Sequence, residues 1–226
     1  PYERACLIAQ RMKEKGTKGK LIVVDANKGP MPPPLAKPML TAMKEMYGAQ
    51  IEYINEADPK SIDAGRKVLS TSKGDIPFQH ANIILPMRAP GLIRKAGLGE
   101  RFAAIELPSF QSTKDKSIFV VGDAQGAPLP KSGHIAFGAG QQVGEQILAT
   151  IAGKYKEAGL GDVVTLPSAI CWGKVSTSMA IMINVNASVS VGDPPNVKYE
   201  VDPAANAASS KGAMEWGTNM WNAMLG

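Results

Sequence analysis

Apolar residues recur partly at helical spacing between Glu3 and Lys15, and Gly16 is a natural stop, so the pattern predicts a helix at the start of the chain. The apolar run Leu21–Val24 then predicts a short buried strand that ends at Asp25. A helix followed by a strand is half of a βαβ unit, and the strand that should precede the helix is absent. An acidic residue at such a strand end often holds a nucleotide ribose, although Asp25 also begins good turn chemistry.

The rest of the chain alternates short apolar runs with turn residues. Pro30–Pro38 cannot be helical throughout, because proline lacks a backbone donor. Two β-prone runs on either side of residues 72–75 predict a hairpin. The pattern predicts a helix at Leu40–Met46, an amphipathic stretch at Ala213–Leu225, and strands at Ile51–Ile54, Lys67–Thr71, Ile76–Gln79, Asn82–Leu85, Met179–Val185, Ala187–Val191 and Asn196–Val201.

The most informative segment is a β-branched run, Ile118–Val121, that stops at Gly122-Asp123 and leads through a Pro/Gly-rich loop into a predicted helix at about residues 133–152. A buried strand ending in Gly-Asp places a carboxylate at the carboxyl edge of a sheet, where open α/β folds bind ligands. The following helix directs free N–H groups and the positive end of its dipole to the same place. The dipeptide alone is as typical of a plain turn, but the order of the elements favours a flavin over a metal or a nucleic acid.

Composition excludes several classes of function. The net charge of +5 is scattered, and its densest lysine cluster lies at the end of the first helix, where the dipole favours cations. Aromatic residues are not interleaved with basic ones, which disfavours nucleic-acid binding. No apolar run approaches the roughly 18–20 residues that span a bilayer. The two cysteines and two histidines lack the spacing of a zinc or haem-attachment site, and no hydrolase motif is present, so no metal site is predicted.

The two cysteines, Cys6 and Cys171, are candidate redox residues. Cys6 lies in the first turns of a predicted helix, whose dipole is expected to lower the thiol pKa. Cys171 lies in a loop-like Ser-Ala-Ile-Cys-Trp-Gly segment. The residues alone leave three interpretations open: a functional pair, two unrelated buried cysteines, or a structural disulfide, which would require an oxidising compartment.

Five segments of the chain, in this order, resemble the carboxyl-terminal part of the flavoprotein subunit of flavocytochrome c sulfide dehydrogenase. They are PYERACLIA, DANKG, ILPMRAPGLIRKAGL, IFVVGDA…PLPKSG and SAICWG. This subunit is related to sulfide:quinone oxidoreductases and to glutathione-reductase-like flavoenzymes. The resemblance runs from Pro1 to Gly226, is weakest at about residues 26–80, and is most specific around Cys6 and Asp123.

The resemblance implies a redox site beside FAD. Cys6 and Cys171 match two family cysteines that form a disulfide next to the flavin, and the pair would be the centre that oxidises sulfide. Trp216 matches a tail tryptophan near the flavin, where it would lie toward a haem partner.

The resemblance also implies which residues hold the cofactor. Asp123, preceded by Gly122, matches the acid of the second flavin-binding motif and would hold the ribityl or pyrophosphate region. The sequence Lys131-Ser132-Gly133 would bring a helix N-terminus to the O2 end of the isoalloxazine, where it would stabilise negative charge on the reduced ring.

The implied fold class is α/β: an incomplete flavoprotein with two dinucleotide-binding domains built on Rossmann-like sheets, plus a smaller α+β carboxyl-terminal domain. We expect the second dinucleotide-binding domain, without its first strand, at residues 1–103. The carboxyl-terminal segment of the FAD-binding domain is expected at residues 104–154, and a carboxyl-terminal interface domain at residues 155–226.

Two family features are missing from the chain: the GxGxxG loop that grips the ADP half of FAD, and the strand that opens the second dinucleotide-binding domain. A sheet without that strand exposes unpaired edges. We therefore expect that the chain neither folds nor binds FAD alone, and that it associates with a chain or segment carrying the amino-terminal FAD-binding half.

The implied function is an FAD-dependent sulfide dehydrogenase in which sulfide attacks the disulfide and electrons pass through the flavin to a c-type cytochrome subunit. The resemblance places it in the bacterial periplasm, although the chain shows no signal peptide. One alternative is a sulfide:quinone oxidoreductase, whose tail should be more apolar than Ala213–Leu225. Another is a non-catalytic binding domain of the same fold that has lost its flavin.

Overall fold

The structure, a computed structural model, describes residues 1–225. Its contacts group the chain into two compact units. The first unit contains Pro1–Ile83, Cys171–Ile183 and the chain from Glu200, and the second contains Ile84–Ile170 and Asn184–Tyr199. The division into three domains at 103/104 and 154/155 stays a prediction.

Residues 1–225 form a mixed α/β fold with three small sheets, whose strand orders are β1-β2, β3-β4-β5 and β6-β7-β8. The helices and strands are α1 (Tyr2–Glu14), β1 (Leu21–Val24), α2 (Ala36–Tyr47), β2 (Ile51–Ile54), β3 (Pro59–Asp63), β4 (Val68–Thr71), β5 (Gly74–Pro77), α3 (Gly91–Lys95), α4 (Gly133–Ile151), β6 (Val163–Lys174), β7 (Ala180–Ser190), β8 (Asn196–Val201) and α5 (Ala207–Leu225).

The first unit contains a βαβ motif made of β1, α2 and β2. The two strands are parallel and in register from Leu21 opposite Ile51 onward. On α2, Met39, Met43 and Tyr47 are buried at a spacing of four residues, which places them on one face of the helix. The predicted helices and strands of this region are confirmed.

The hairpin of the first unit is also confirmed, with β4 and β5 antiparallel. Its turn is closed by the Thr71 hydroxyl, which donates to the Gly74 carbonyl at 2.8 Å. Gly74 has φ +114°, a conformation that favours glycine. The third strand, β3, was not predicted, because its mostly exposed residues lack an alternating apolar pattern.

The strand predicted at Asn82–Leu85 is wrong. These residues have no regular secondary structure, and Ile84 and Leu85 are 65% and 77% exposed. Their β-branched and apolar character satisfies the sequence pattern, but no strand of the described residues pairs with them.

The second unit has a core built from Ala89, Ile93, Leu98, Ala103 and Val120. The strand predicted at Ile118–Val121 does not form as a sheet strand. This segment makes an isolated antiparallel bridge between Phe119 and Gln111, and the Val120 amide donates to the Phe110 carbonyl at 3.0 Å. The predicted extended conformation is therefore confirmed, whereas the predicted pairing of this segment in a sheet is wrong.

The long helix α4 of the second unit is confirmed. It buries Ile135, Ala139 and Val143 at a spacing of four residues. A Cβ at Gly138 would lie 3.0 Å from Pro167, so the glycine permits the close approach of α4 to β6.

The last sheet differs from its prediction in two ways. Ala180–Ser190 forms the single strand β7 instead of the two paired strands predicted at Met179–Val185 and Ala187–Val191. The Cys171 segment, expected to be loop-like, lies within β6. Asn196–Val201 forms β8 as predicted. Among residues 1–225 no helix is both long and apolar enough to cross a bilayer.

A buried carboxylate, Asp25, ties α1 to both strands of the parallel sheet. It accepts hydrogen bonds from the hydroxyls of Tyr2 at 2.6 Å and Tyr53 at 2.7 Å. The backbone and side-chain amides of Asn27 donate to its other oxygen at 2.9 and 2.8 Å. Burial would raise the pKa of Asp25, but these hydrogen bonds outweigh it and hold the pKa below the ordinary value of 3.8.

The Asp25 network makes the stability of the protein depend on pH in acid. Because the folded pKa is depressed, the contribution is fully present above about pH 3.8 and is lost as pH falls through the lower folded pKa. We expect Asp25→Asn to lower the free energy of unfolding at pH 7 by about 2 kcal/mol and to reduce its decline in acid. Urea unfolding of the purified protein at pH 7 and pH 3 measures both effects.

The matched control is Asp58→Asn, which changes an exposed carboxylate in the same unit and should alter neither quantity. An Asp25→Asn protein with the urea midpoint and acid sensitivity of the unsubstituted protein would contradict the structural role of Asp25.

Candidate functional site

The Gly-Asp motif forms a tight turn in front of α4. Gly122–Ala124 is one turn of 3₁₀ helix that follows the extended Val121. Gly122 has φ +70°, which favours glycine, and a Cβ there would lie 3.6 Å from the Cβ of Ala136 on α4. Asp123 is exposed. The turn therefore presents a solvent-accessible carboxylate close to a long helix.

The N-terminus of α4 is capped by Ser132, whose hydroxyl accepts the Ile135 amide at 3.3 Å. Gly133 is the first helical residue. The remaining first-turn amides have no partner within the helix, and the dipole makes this end attractive to negative charge.

The Lys131 side chain is held by the protein itself. Its ammonium group donates to the Gln125 carbonyl at 2.5 Å and lies 4.1 Å from the centre of the Phe102 ring. Burial lowers the pKa of Lys131, while the Asp123 carboxylate opposes that change. Lys131 thus ties the loop before α4 to the turn that carries Asp123.

These residues fit the part of a flavin that the sequence assigns to them. An exposed carboxylate accepts hydrogen bonds from hydroxyl groups such as those of a ribityl chain, and helix N-terminal amides donate to carbonyl or phosphate oxygens. Both kinds of group occur within one turn–loop–helix segment, from Gly122 to Gly133.

Cys6 lies on α1 with its side chain completely buried, at 0% exposure. Burial, followed by the negative charge of Glu3, raises the pKa of the Cys6 thiol to about 12. The expectation that the helix dipole lowers this pKa is therefore wrong, because desolvation of the thiolate dominates.

Cys171 lies on β6 and is partly buried, and no disulfide joins it to Cys6. Burial, followed by the negative charges of Cys6 and Glu14, raises the pKa of Tyr47 to about 12. The Tyr47 hydroxyl donates to the carbonyl of Val175, just beyond the end of β6.

Trp216 lies close to the Cys171 segment. Its ring centre is 5.6 Å from that of Trp172, and the two planes are tilted by 52°. Trp172 directly follows Cys171 on β6, so the two tryptophans pack beside the sulfur-bearing strand. The sequence analysis did not identify Trp172 as a site residue. Its position directly after Cys171 was the signal that could have identified it.

A groove of about 580 Å³ lies in the second unit between α4 and β6. The sequence did not predict it. Its wall includes His134, whose Nδ1 accepts the Ile170 amide at 3.1 Å. Other lining residues are Phe137, Gln141, Glu145, Thr165 and Ser168. In the part of the chain that is described, no group of three or more His, Cys, Asp or Glu side chains could hold a metal ion.

The predicted site residues fall into two sets. Cys6, Cys171 and Trp216 belong to the first unit. The second unit contains the cofactor-binding set, which comprises Gly122, Asp123, Lys131, Ser132 and Gly133. Asp25, which the pattern offered as a ribose acceptor, has its carboxylate engaged by Tyr2, Asn27 and Tyr53.

Two solved structures share the fold of most of this chain. One is a chain of the mitochondrial ATP synthase tetramer of Tetrahymena thermophila, with 15% identity and a TM-score of 0.55 over 80% of this chain and 45% of that one. The other is a chain of the covalent putidaredoxin reductase–putidaredoxin complex, with 13% identity and a TM-score of 0.52 over 86% and 51%. This chain therefore spans about half the length of either structure.

A family model matches residues 1–85, and its description is the central region of the sulfide dehydrogenase (flavocytochrome c) flavoprotein chain. The match includes α1, the βαβ motif and the hairpin sheet. It confirms, over residues 1–85, the family resemblance predicted from the sequence.

Proposed function

We propose that this chain is part of an FAD-dependent sulfide dehydrogenase that passes electrons to a c-type cytochrome. The observation that carries the proposal is the match of residues 1–85 to the sulfide dehydrogenase flavoprotein chain. The Gly122-Asp123 turn in front of α4 adds to it, because its carboxylate and helix amides fit a flavin.

The second unit would supply one part of the FAD site. Asp123 would accept hydrogen bonds from the ribityl or pyrophosphate region, and the Ser132-capped end of α4 would face the isoalloxazine oxygen that gains negative charge. Lys131 would keep the intervening loop in place through Gln125. When bound, FAD supplies an acceptor that takes two electrons and releases them singly.

The first unit would carry the sulfur chemistry, at Cys171. In thiol–disulfide exchange a hydrosulfide ion attacks one sulfur of a disulfide, forms a new S–S bond, and releases the other sulfur as a thiolate. Cys171 is accessible enough to take part. Cys6, which the resemblance pairs with it, is a buried thiol with a raised pKa and would be the sulfur that is released as a thiolate.

The proposal includes partners and a compartment. We expect a c-type cytochrome subunit as electron acceptor, a chain or segment that supplies the amino-terminal FAD-binding half, and a periplasmic location. Trp216, packed against Trp172, the residue after Cys171 on β6, would lie near the flavin on the side of the cytochrome.

An absorption spectrum of the protein, purified with all of its co-purifying chains, tests the proposal directly. Flavin bands that bleach on anaerobic addition of sulfide support it, and subsequent reduction of added cytochrome c identifies the acceptor. Absence of flavin bands would indicate the flavin-less domain, and reduction of a quinone analogue in place of cytochrome c would indicate a sulfide:quinone oxidoreductase.

Substitution of each cysteine in turn tests whether its sulfur takes part in sulfide oxidation. We expect Cys171→Ser to abolish sulfide-dependent flavin bleaching while leaving flavin content intact, because serine cannot form a persulfide. Cys6→Ser should abolish the bleaching as well, since hydrosulfide forms a persulfide on Cys171 only by displacing the Cys6 sulfur from a disulfide. Anaerobic stopped-flow spectroscopy measures both rates.

Full turnover by the Cys171→Ser protein would remove Cys171 from the mechanism. Full turnover by the Cys6→Ser protein would show that the two cysteines do not act as a redox pair.

Substitution of Asp123 tests the flavin site. Because hydrogen bonds to a charged acceptor contribute about 1.5–3 kcal/mol each, Asp123→Ala should lower flavin occupancy at least tenfold at limiting FAD. Asp115→Ala is the control, since that exposed carboxylate of the same unit accepts only from Ser117. Flavin released by denaturation, divided by protein concentration, gives the occupancy, and an unchanged value for Asp123→Ala would exclude this role.

A further inference from the structure

Side chains of α1 and α2 hold the end of β6, within the first unit. The Glu3 carboxylate accepts the Lys174 amide at 2.8 Å. The Tyr47 hydroxyl donates to the Val175 carbonyl, and the Gln10 side-chain oxygen accepts the Thr177 amide at 2.8 Å. Three successive parts of the backbone after Cys171 are thus attached to helices.

The strand is also tightly packed on the side of α2. A Cβ at Gly173 would lie 3.0 Å from the end of the Met39 side chain, which is itself buried. Gly173 lies between Cys171 and the Lys174 amide, so the strand closely approaches α2 beside the Glu3 contact.

Of these three helix contacts after Cys171, the one made by Glu3 lies nearest to Cys171 along the chain. It is in the first turn of α1, where the helix dipole stabilises a carboxylate. A hydrogen bond from a backbone amide to an ionised carboxylate is stronger than one between neutral groups.

We propose that Glu3 is a positioning residue for Cys171: by accepting the Lys174 amide it fixes the strand end that presents the Cys171 sulfur. The relevance of this inference to sulfide oxidation rests on the proposed function. The effect of Glu3 on the position of Cys171 does not depend on the flavin. Glu3 acts through the backbone of β6 and does not itself react.

The experiment measures the alkylation rate of Cys171 by iodoacetamide in the reduced protein, using quantitative mass spectrometry of the Cys171 peptide. Glu3→Ala removes the acceptor and should increase the rate about tenfold, the factor that loss of one hydrogen bond of ordinary strength supports. Hydrogen exchange of the Lys174 amide should increase in the same variant.

Two further variants separate position from charge. Glu3→Gln keeps an acceptor of the same reach and should react within twofold of the unsubstituted protein. Glu3→Asp keeps the charge but is one methylene shorter, so it should behave like Glu3→Ala. The opposite order for these two variants would show that charge, not position, matters, and would overturn the inference.

Gln10→Ala is the matched control, because it removes another contact between α1 and the same backbone, but beyond the strand. It should change the rate less than twofold, and thermal unfolding of every variant reports global destabilisation. An effect of Gln10→Ala equal to that of Glu3→Ala, or no effect of Glu3→Ala, would contradict the inference. Sulfide oxidation is measured in parallel: its absence in the unsubstituted protein would refute the proposed function and leave the alkylation result standing.

Discussion

The first unit depends on hydrogen bonds that side chains of α1 and α2 make to the backbone at the end of β6. Cys171 and Lys174 are far from Glu3 and Tyr47 in the sequence, so this part of β6 is placed by tertiary contacts. Each hydrogen bond has modest net strength, but loss of one would leave a partly buried group without its partner, which costs more than the bond itself contributes.

The environment of Cys6 illustrates why local sequence reasoning fails for buried groups. A helix N-terminus contributes roughly 0.3–1 kcal/mol to a nearby anion. Burial and Glu3 raise the thiol pKa from 9.0 to about 12, which corresponds to about 4 kcal/mol in the opposite direction. The dipole is visible in the sequence, whereas burial depends on α2 and on the contacts that α1 makes within the unit. Desolvation, the stronger of the two effects on this thiol, therefore could not be read from the local sequence.

Elements with a clear period were predictable, and those defined by tertiary pairing were not. The βαβ motif, the β4–β5 hairpin and α4 follow from apolar spacing and turn residues such as Gly74. The mostly exposed β3 has no apolar alternation, and its pairing with β4 decides its conformation. The helix predicted after Gly122-Asp123 is confirmed, the sheet strand predicted before it does not form, and the flavin-binding role of these residues stays a prediction. Engagement of Lys131 by Gln125 and Phe102 needed the structure, because nothing in the local pattern specifies those partners.

The segment Ile118–Val121 has the composition of a sheet strand but does not pair as one. Its β-branched residues adopt an extended conformation, yet within the described residues they form only an isolated bridge. β-propensity reflects the fit to a pleated, partly buried surface more than an intrinsic backbone preference. An extended run that leads into a glycine at positive φ and a capped helix therefore has the local features of a sheet-based ligand site without the sheet. This is the arrangement expected if additional strands of the flavin-binding half complete the sheet, and it is why the proposed function includes a partner segment.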